Sequence, residues 1–204
     1  MAASILQEIL SSLNRFDKFP FNPEEFSRIA AEVFSSINIS VDDISDYLTD
    51  SWDEFGCDPS PVDFGEGPIV VSLHNERNWC LRATIWPAGE QSPWRDKVHN
   101  HFGFITTTAV TEIAYDENIY ASFESISRGG ENRRLIKGVV HIIGPGTIHR
   151  IVPLLAIPGI SISVRTRAVR SKSQEYDESA GLIVDRTRAA FDEKQAIKSI
   201  LKTL

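Results

Sequence analysis

The feature that most constrains the fold is a change in hydrophobic period after residue 68. From there, short apolar runs such as 69–73 and 79–86 are separated by turns rich in Gly and Pro. Further runs of the same kind lie at 98–104, 105–111, 119–127, 139–143, 148–154 and 160–168. Many short strands at even spacing are typical of a β-sandwich or a closed β-barrel. We therefore predict a mainly β fold.

The residues before this region have helical spacing instead. Apolar side chains recur three and four residues apart over 4–16, and Asn22-Pro23-Glu24-Glu25 has the composition of a helix start. Ser40 opens a third predicted helix that ends near Trp52.

These patterns divide a single domain into four parts. We predict a helical region at 1–54 that packs on the barrel, a linker or covering loop at 55–67, a barrel at 68–170, and a C-terminal loop and short helix at 171–204. The Gly, Asp and Pro content of 55–67 indicates irregular structure. The polar segment 171–179 is predicted to be a mobile loop, and apolar spacing after residue 192 predicts the short helix.

Charge and composition exclude several classes of partner. The formal net charge of the 204 residues is -7, which argues against nucleic acid and against anionic membranes. The apolar runs are too short to span a bilayer, and the N-terminus lacks a signal-peptide pattern. Cys57 and Cys80 do not form a disulfide framework. We expect a cytoplasmic monomer or homodimer that binds a small molecule.

Three histidines carry the chemistry. His99 and His101 are two residues apart, so in a strand their side chains share a face. His149 follows the turn Pro145-Gly146, where a new strand is expected. Three neutral imidazoles that converge make a site for a divalent metal with open positions for water, O2 or substrate. The alternative is three unrelated surface residues, which the apolar surroundings of the His-x-His pair disfavour.

These motifs resemble those of the cupin superfamily. His99 and His101 match the centre of the first cupin motif, and Gly138, the Pro145-Gly146 turn and His149 match the second. The resemblance covers 68–168 and implies a jelly-roll β-barrel that holds a metal at its mouth. Within the cupins, the run 81–90 and the histidines look most like the thiol dioxygenases, of which cysteine dioxygenase is the type. Those enzymes bind Fe(II) through three histidines.

The sequence also departs from that pattern. Ile105 and Thr106 stand where cupins usually place a ligand glutamate, and the arginine that binds the substrate carboxylate in thiol dioxygenases would fall near His74. Their crosslinking cysteine would fall near Thr106, and the histidine on their last barrel strand is replaced in 161–163. The resemblance therefore carries over the metal ligands but not the specificity for thiols.

Three further residues are candidates for handling the substrate. Arg82 and Arg165 each lie in a predicted strand, and an arginine that faces the barrel interior could hold a carboxylate through two hydrogen bonds. His74 could serve as an acid/base or as an outer partner of the site. His141 lies in an apolar run, which favours a core or outer role over metal binding.

We therefore predict a metal-dependent oxidoreductase similar to cysteine dioxygenase, which acts on a small polar molecule bearing a carboxylate or thiol and bound directly to the metal. Fe(II) is the expected cofactor; Zn, Ni and Mn remain open because ligand type alone does not select the metal. The alternatives are a non-redox cupin lyase, isomerase or hydrolase, and a cupin that binds a small ligand without catalysis.

The first testable prediction concerns metal content. Protein purified without oxygen should carry about one metal ion per chain, because three imidazole ligands suffice to hold one. Elemental analysis should show this metal lost in His149→Ala. Equal metal content in the two proteins would contradict the assignment.

Overall fold

The computed structural model describes residues 4–17, 20–47, 68–88, 94–152, 158–170 and 172–187. Two helices come first, α1 (Ile5–Asn14) and α2 (Pro23–Ser36), and residues 41–47 are also helical. Ten strands follow: β1 (Ile69–Asn75), β2 (Trp79–Trp86), β3 (Ile105–Ala109), β4 (Ile113–Tyr120), β5 (Glu131–Ile136), β6 (Val140–Ile143), β7 (Ile148–Val152), β8 (Gly159–Thr166), β9 (Lys172–Asp177) and β10 (Leu182–Thr187).

The helices begin where the sequence places them. Ser4 and Gln7 form a capping box at the start of α1, and the Asn22 side chain accepts hydrogen bonds from two backbone N–H groups of the first turn of α2. These contacts satisfy N–H groups that have no partner within the helix. No helix in the described ranges has the length and apolar character needed to cross a membrane.

The strands form two antiparallel layers. The first layer has the order β1-β2-β8-β3-β6, and the second has the order β5-β4-β7. A bridge between His99 and His149 extends the second layer beyond β7, and a further bridge joins His99 to Glu175 in β9. One layer thus contains the order β2-β8-β3-β6. The opposite layer contains the bridge residue His99 followed by β7, β4 and β5, and these two orders are those of a jelly roll. The predicted mainly β fold, a cupin-type jelly roll with N-terminal helices, is confirmed.

One face of the first layer packs against the helices. Leu81 in β2 and Ile162 and Val164 in β8 share a buried cluster with apolar side chains of the two helices, namely Leu6, Ile9, Leu13, Phe26, Ala30 and Phe34. Thr106 in β3 donates a hydrogen bond to the Ser27 carbonyl of α2 over 3.0 Å. The helices therefore close the outer face of this sheet.

The opposite face of the same sheet points between the two layers. Alternation along the strands turns Arg82, Ser163 and Arg165 away from the helix-packed cluster. On this face Trp86 donates to the Ser161 hydroxyl over 2.9 Å, and the Trp86 ring lies 4.9 Å from the ring of Tyr115 in β4. Since Tyr115 belongs to the second layer, this face lines the barrel interior.

Three predictions about individual segments are wrong. The predicted strand at 98–104 is not formed, because only His99 in it makes β-bridges. The predicted strand at 119–127 ends at Tyr120, because Phe123–Arg128 forms a 3-10 helix that Ser122 and Ser125 cap. The segment 171–179, predicted to be a loop, contains β9, which pairs with β10. The polar sequence of this segment lacks the apolar alternation of a strand, yet β9 forms through a hairpin with β10 and through hydrogen bonds to Val98 and Asn100. The predicted linker at 55–67 and the C-terminal helix lie outside the described residues.

Leu13→Ala tests whether the helices and the barrel share one core. The Leu13 side chain is fully buried in the cluster that includes Leu81 and Ile162. Its truncation should lower the free energy of unfolding by about 2–5 kcal/mol, measured by denaturant titration of the whole chain. The control is Ser11→Ala on the exposed side of α1, which should change stability by less than about 0.5 kcal/mol. Equal stability of the two variants would mean that α1 does not contribute to the barrel core.

Candidate metal centre

The three predicted histidines come together. The potential ligand atoms of His99, His101 and His149 all lie within 4.8 Å of one another. The closest pair is Nε2 of His101 and Nε2 of His149, 2.7 Å apart. The three ring centroids are separated by 4.7 Å, 4.7 Å and 4.8 Å, so the rings surround a common point. This convergence is what the sequence spacing predicts.

Backbone pairing brings the two motifs into register. The His99 N–H donates to the His149 carbonyl, and the His149 N–H donates to the His99 carbonyl, both over 2.9 Å. Such a reciprocal pair places the two residues directly opposite each other in an antiparallel ladder. The other side of the segment 98–100 is bonded to β9. The backbone N–H of Asn100 donates to the Gln174 carbonyl, and the backbone N–H of Tyr176 donates to the Val98 carbonyl.

Hydrogen-bond acceptors set the tautomers of two of the rings. The Lys97 carbonyl lies 2.7 Å from Nδ1 of His99, and a carboxylate oxygen of Glu117 lies 2.5 Å from Nδ1 of His149. A carbonyl and an ionised carboxylate can only accept, so in both rings Nδ1 carries the hydrogen. The lone pair then lies on Nε2, which is the form that binds a metal.

Glu117 is a residue of the candidate site that the sequence analysis missed. Its side chain, in β4, has an exposed fraction of 0%, and its second oxygen accepts a hydrogen bond from Nε of Arg133 over 2.5 Å. Nδ1 of His141 lies 3.5 Å from the same oxygen, too far for a firm hydrogen bond. Burial alone would raise the pKa of Glu117, but His141, His149 and Arg133 outweigh it and hold this pKa well below its usual range.

The anionic Glu117 is therefore positioned as an outer partner of any metal that the three histidines hold. A carboxylate that accepts from the far nitrogen of a ligand histidine fixes the ring and raises its basicity. The one sequence signal for Glu117 is that an acidic residue occupies an inward position of strand 113–120. The apolar pattern of the sequence does not reveal this strand. His141 occupies the outer position expected of it, buried beside Glu117 and outside the three-histidine group.

Two of the predicted substrate residues face the barrel interior. Arg82 and Arg165 are diagonal neighbours there, since Ser163 is the cross-strand partner of Arg82 and lies two residues before Arg165. Burial and the charge of Arg82 lower the pKa of Arg165. Tyr115 lies close to Arg165, and burial together with the charge of Glu117 raises the pKa of Tyr115 well above its usual range. Tyr115 therefore keeps its proton.

The third predicted residue, His74, lies elsewhere. A bulge in β1 between Ser72 and His74 shifts the register, so His74 pairs with Leu81 on the helix-packed face. There its ring contacts Trp79, and its Nε2 lies 3.0 Å from a Glu76 carboxylate oxygen. The structure does not bring His74 to the three histidines, and its role in chemistry stays a prediction that these contacts do not support.

Comparisons with known proteins add structural relatives only. No protein-family model matches the chain, and a search of curated proteins found no significant match. Among solved structures, the DMSP lyase DddQ from Ruegeria pomeroyi DSS-3 is similar with a TM-score of 0.41 and 13% identity, covering 56% of this chain and 54% of that one. The chain thus spans about half the length of that enzyme.

Two solved cupins show likeness of the same degree. An RmlC-like cupin from Shewanella frigidimarina NCIMB 400 has a TM-score of 0.39 and 17% identity, covering 53% of this chain and 83% of that one. An RmlC-like cupin protein from Ralstonia eutropha JMP134 has a TM-score of 0.41 and 13% identity. The match covers 72% of this chain and 78% of that one.

Glu117→Gln tests the outer partner of His149. The substitution replaces one carboxylate oxygen by an NH2 group, which must then face a donor, either His149 or Arg133. The dissociation constant for Zn(II), measured by competition with a chromophoric chelator, should rise by about 10–100-fold.

The matched control for this experiment is Asp116→Asn. It removes the same charge from the adjacent residue, whose carboxylate instead pairs with the exposed Arg134. This variant should bind Zn(II) as the unmodified chain does. Equal affinity of both variants, with both folded by circular dichroism, would show that Glu117 does not support the metal site.

Proposed function

We propose that this protein is a mononuclear metal-dependent enzyme that binds a small anionic molecule directly to its metal, with non-haem Fe(II) and O2 as the reagents. The observation that carries the proposal is the convergence of three imidazoles, two of which are held in the metal-binding tautomer. The resemblance of these motifs to the thiol dioxygenases supports iron as the metal. His99, His101 and His149 would hold it.

The donor set fits such a metal. Three neutral imidazoles leave the full charge of a divalent ion uncompensated, because the nearby carboxylate of Glu117 is engaged by His149 and Arg133. A metal with this charge and open positions favours an anionic ligand. When bound, Fe(II) would supply Lewis acidity and redox chemistry with O2.

The chain supplies orientation and proton control around that metal. Glu117 fixes the His149 ring, as its hydrogen bond to Nδ1 requires. Tyr115, with its raised pKa, remains a neutral hydrogen-bond donor inside the barrel. Arg82 and Arg165 place positive charge on the interior face of β2 and β8. These groups would bind and orient a substrate anion while the metal performs the reaction.

The test is oxygen consumption by protein reconstituted with Fe(II) or with Zn(II). A panel of small carboxylic acids, some bearing a thiol, should include a compound that the Fe(II) protein oxidises with consumption of O2, and His99→Ala should lose both metal and turnover. Arg134→Gln, which alters an exposed ion pair with Asp116, should retain both. If the Zn(II) form converts such an acid without O2, the oxygenase assignment is wrong. The reaction would then be assigned to a non-redox lyase, isomerase or hydrolase.

A further inference from the structure

Two buried polar atoms without a hydrogen-bond partner lie on the interior face of β8. Among the described residues, the Ser163 hydroxyl and Nε of Arg165 are buried without a hydrogen-bond partner. The Ser163 side chain has an exposed fraction of only 4%. A buried donor that makes no hydrogen bond is costly in a folded protein, and such groups often mark a place where a ligand completes the bonding.

Strand register connects Ser163 with the residues that surround the three histidines. Ser163 lies opposite Arg82 on one side and opposite Thr107 on the other, and Thr107 lies opposite His141. This row of residues crosses the sheet and ends at His141, whose Nδ1 is 3.5 Å from the Glu117 carboxylate that holds His149.

Arg165 lies at the same end of the barrel as the histidines. Its cross-strand partner is Ile105, which follows His101 by four residues. The next residue of β8, Thr166, accepts a hydrogen bond from the Phe104 N–H over 3.0 Å and donates its own N–H to the Phe104 carbonyl. The chain segment that leaves the metal ligands therefore runs directly past Arg165.

The charges in this region favour an anion. Arg165 brings a guanidinium group onto this interior face, and guanidinium groups stay protonated inside proteins. The Glu117 carboxylate is occupied by Arg133 and His149. A guanidinium offers a planar fork of N–H donors that fits two oxygens of a carboxylate, phosphate or sulfonate.

We propose that Arg165 and the Ser163 hydroxyl form a subsite for a small oxyanion at the end of the barrel that carries the three histidines. This inference rests on the proposed function for its metal and deepens it by naming the substrate class. The substrate is a small organic acid with one end on the metal and its oxyanion on Arg165. The Ser163 hydroxyl donates to a second oxygen of the same group.

The test measures binding of malonate, phosphate and methanesulfonate to the full chain at constant ionic strength by calorimetric titration. The chain is titrated in two states, stripped of metal by a chelator and loaded with Zn(II). Arg165→Gln should weaken binding by about 10–100-fold in both states, because it removes charge-assisted hydrogen bonds. Ser163→Ala should weaken it less. Comparison of the three anions shows whether the subsite prefers a carboxylate.

Arg134→Gln is the matched control, since it removes the same charge from an exposed arginine that is paired with Asp116. It should bind the anions as the unmodified chain does. Arg165→Lys keeps the charge but loses the planar fork, so it should bind with intermediate affinity. If Arg165→Gln does not fold, Arg165→Lys and Ser163→Ala carry the comparison.

An equal loss of anion affinity in Arg165→Gln and Arg134→Gln would contradict the proposed subsite. The absence of anion binding in both metal states would contradict it as well. Zn(II) binding without anion binding would refute the subsite and leave the proposed metal enzyme intact. Anion binding that depends on Arg165 in a chain that takes up no metal would support the subsite and refute the proposed function.

Discussion

The candidate site depends on the reciprocal backbone pairing of His99 with His149. These residues are fifty positions apart, and two hydrogen bonds of 2.9 Å align them across adjacent strands. Because side chains directly opposite in an antiparallel ladder share a face, this one contact brings His149 beside His99, and the i, i+2 spacing adds His101. A register shift of one residue between these two segments would turn His149 to the other face of the sheet, and the three histidines would no longer converge. The additional pairing of this segment with β9, through Asn100 and Tyr176, stabilises the register from the opposite side.

Burial of Glu117 explains why the site keeps three neutral ligands. A carboxylate at an exposed fraction of 0% must be compensated, and both of its oxygens are engaged, one by His149 and one by Arg133. It is therefore not available as a fourth ligand. Glu117 thus places a carboxylate close to the three histidines, although the glutamate ligand of the usual cupin motif is absent. Its negative charge reaches the site through the hydrogen bond to the His149 ring.

The sequence predicts the ligands better than their surroundings, for physical reasons. The His-x-His spacing and the Pro145-Gly146 turn are local signals, and local geometry carries them directly into the structure. Glu117 depends on β4, whose pattern Ile-Ala-Tyr-Asp-Glu-Asn-Ile-Tyr does not alternate cleanly between apolar and polar residues. His74 is displaced by a bulge that no spacing rule reveals. Strand β9 forms a hairpin with β10 and also bonds the distant residues Val98 and Asn100, although its polar sequence resembles a loop. The position of Glu117 depends on pairing with the distant strand β7, whereas the bulge at His74 and the hairpin of β9 with β10 are local features that the residue pattern does not reveal.

The distribution of charge separates the interior from the rest of the molecule. The chain has a formal net charge of -7, yet the face of β2 and β8 inside the barrel carries Arg82 and Arg165. An acidic protein does not attract anions by its net charge, so selection of an anion has to come from short-range contacts inside the barrel, where the dielectric is low and charges interact more strongly. Under the proposed function, three neutral metal ligands would act in the same direction, because they leave the charge of the metal for the substrate. Under the proposed function, the three histidines, the interior guanidinium groups and the sequestered Glu117 together would make this end of the barrel a site for a small acid.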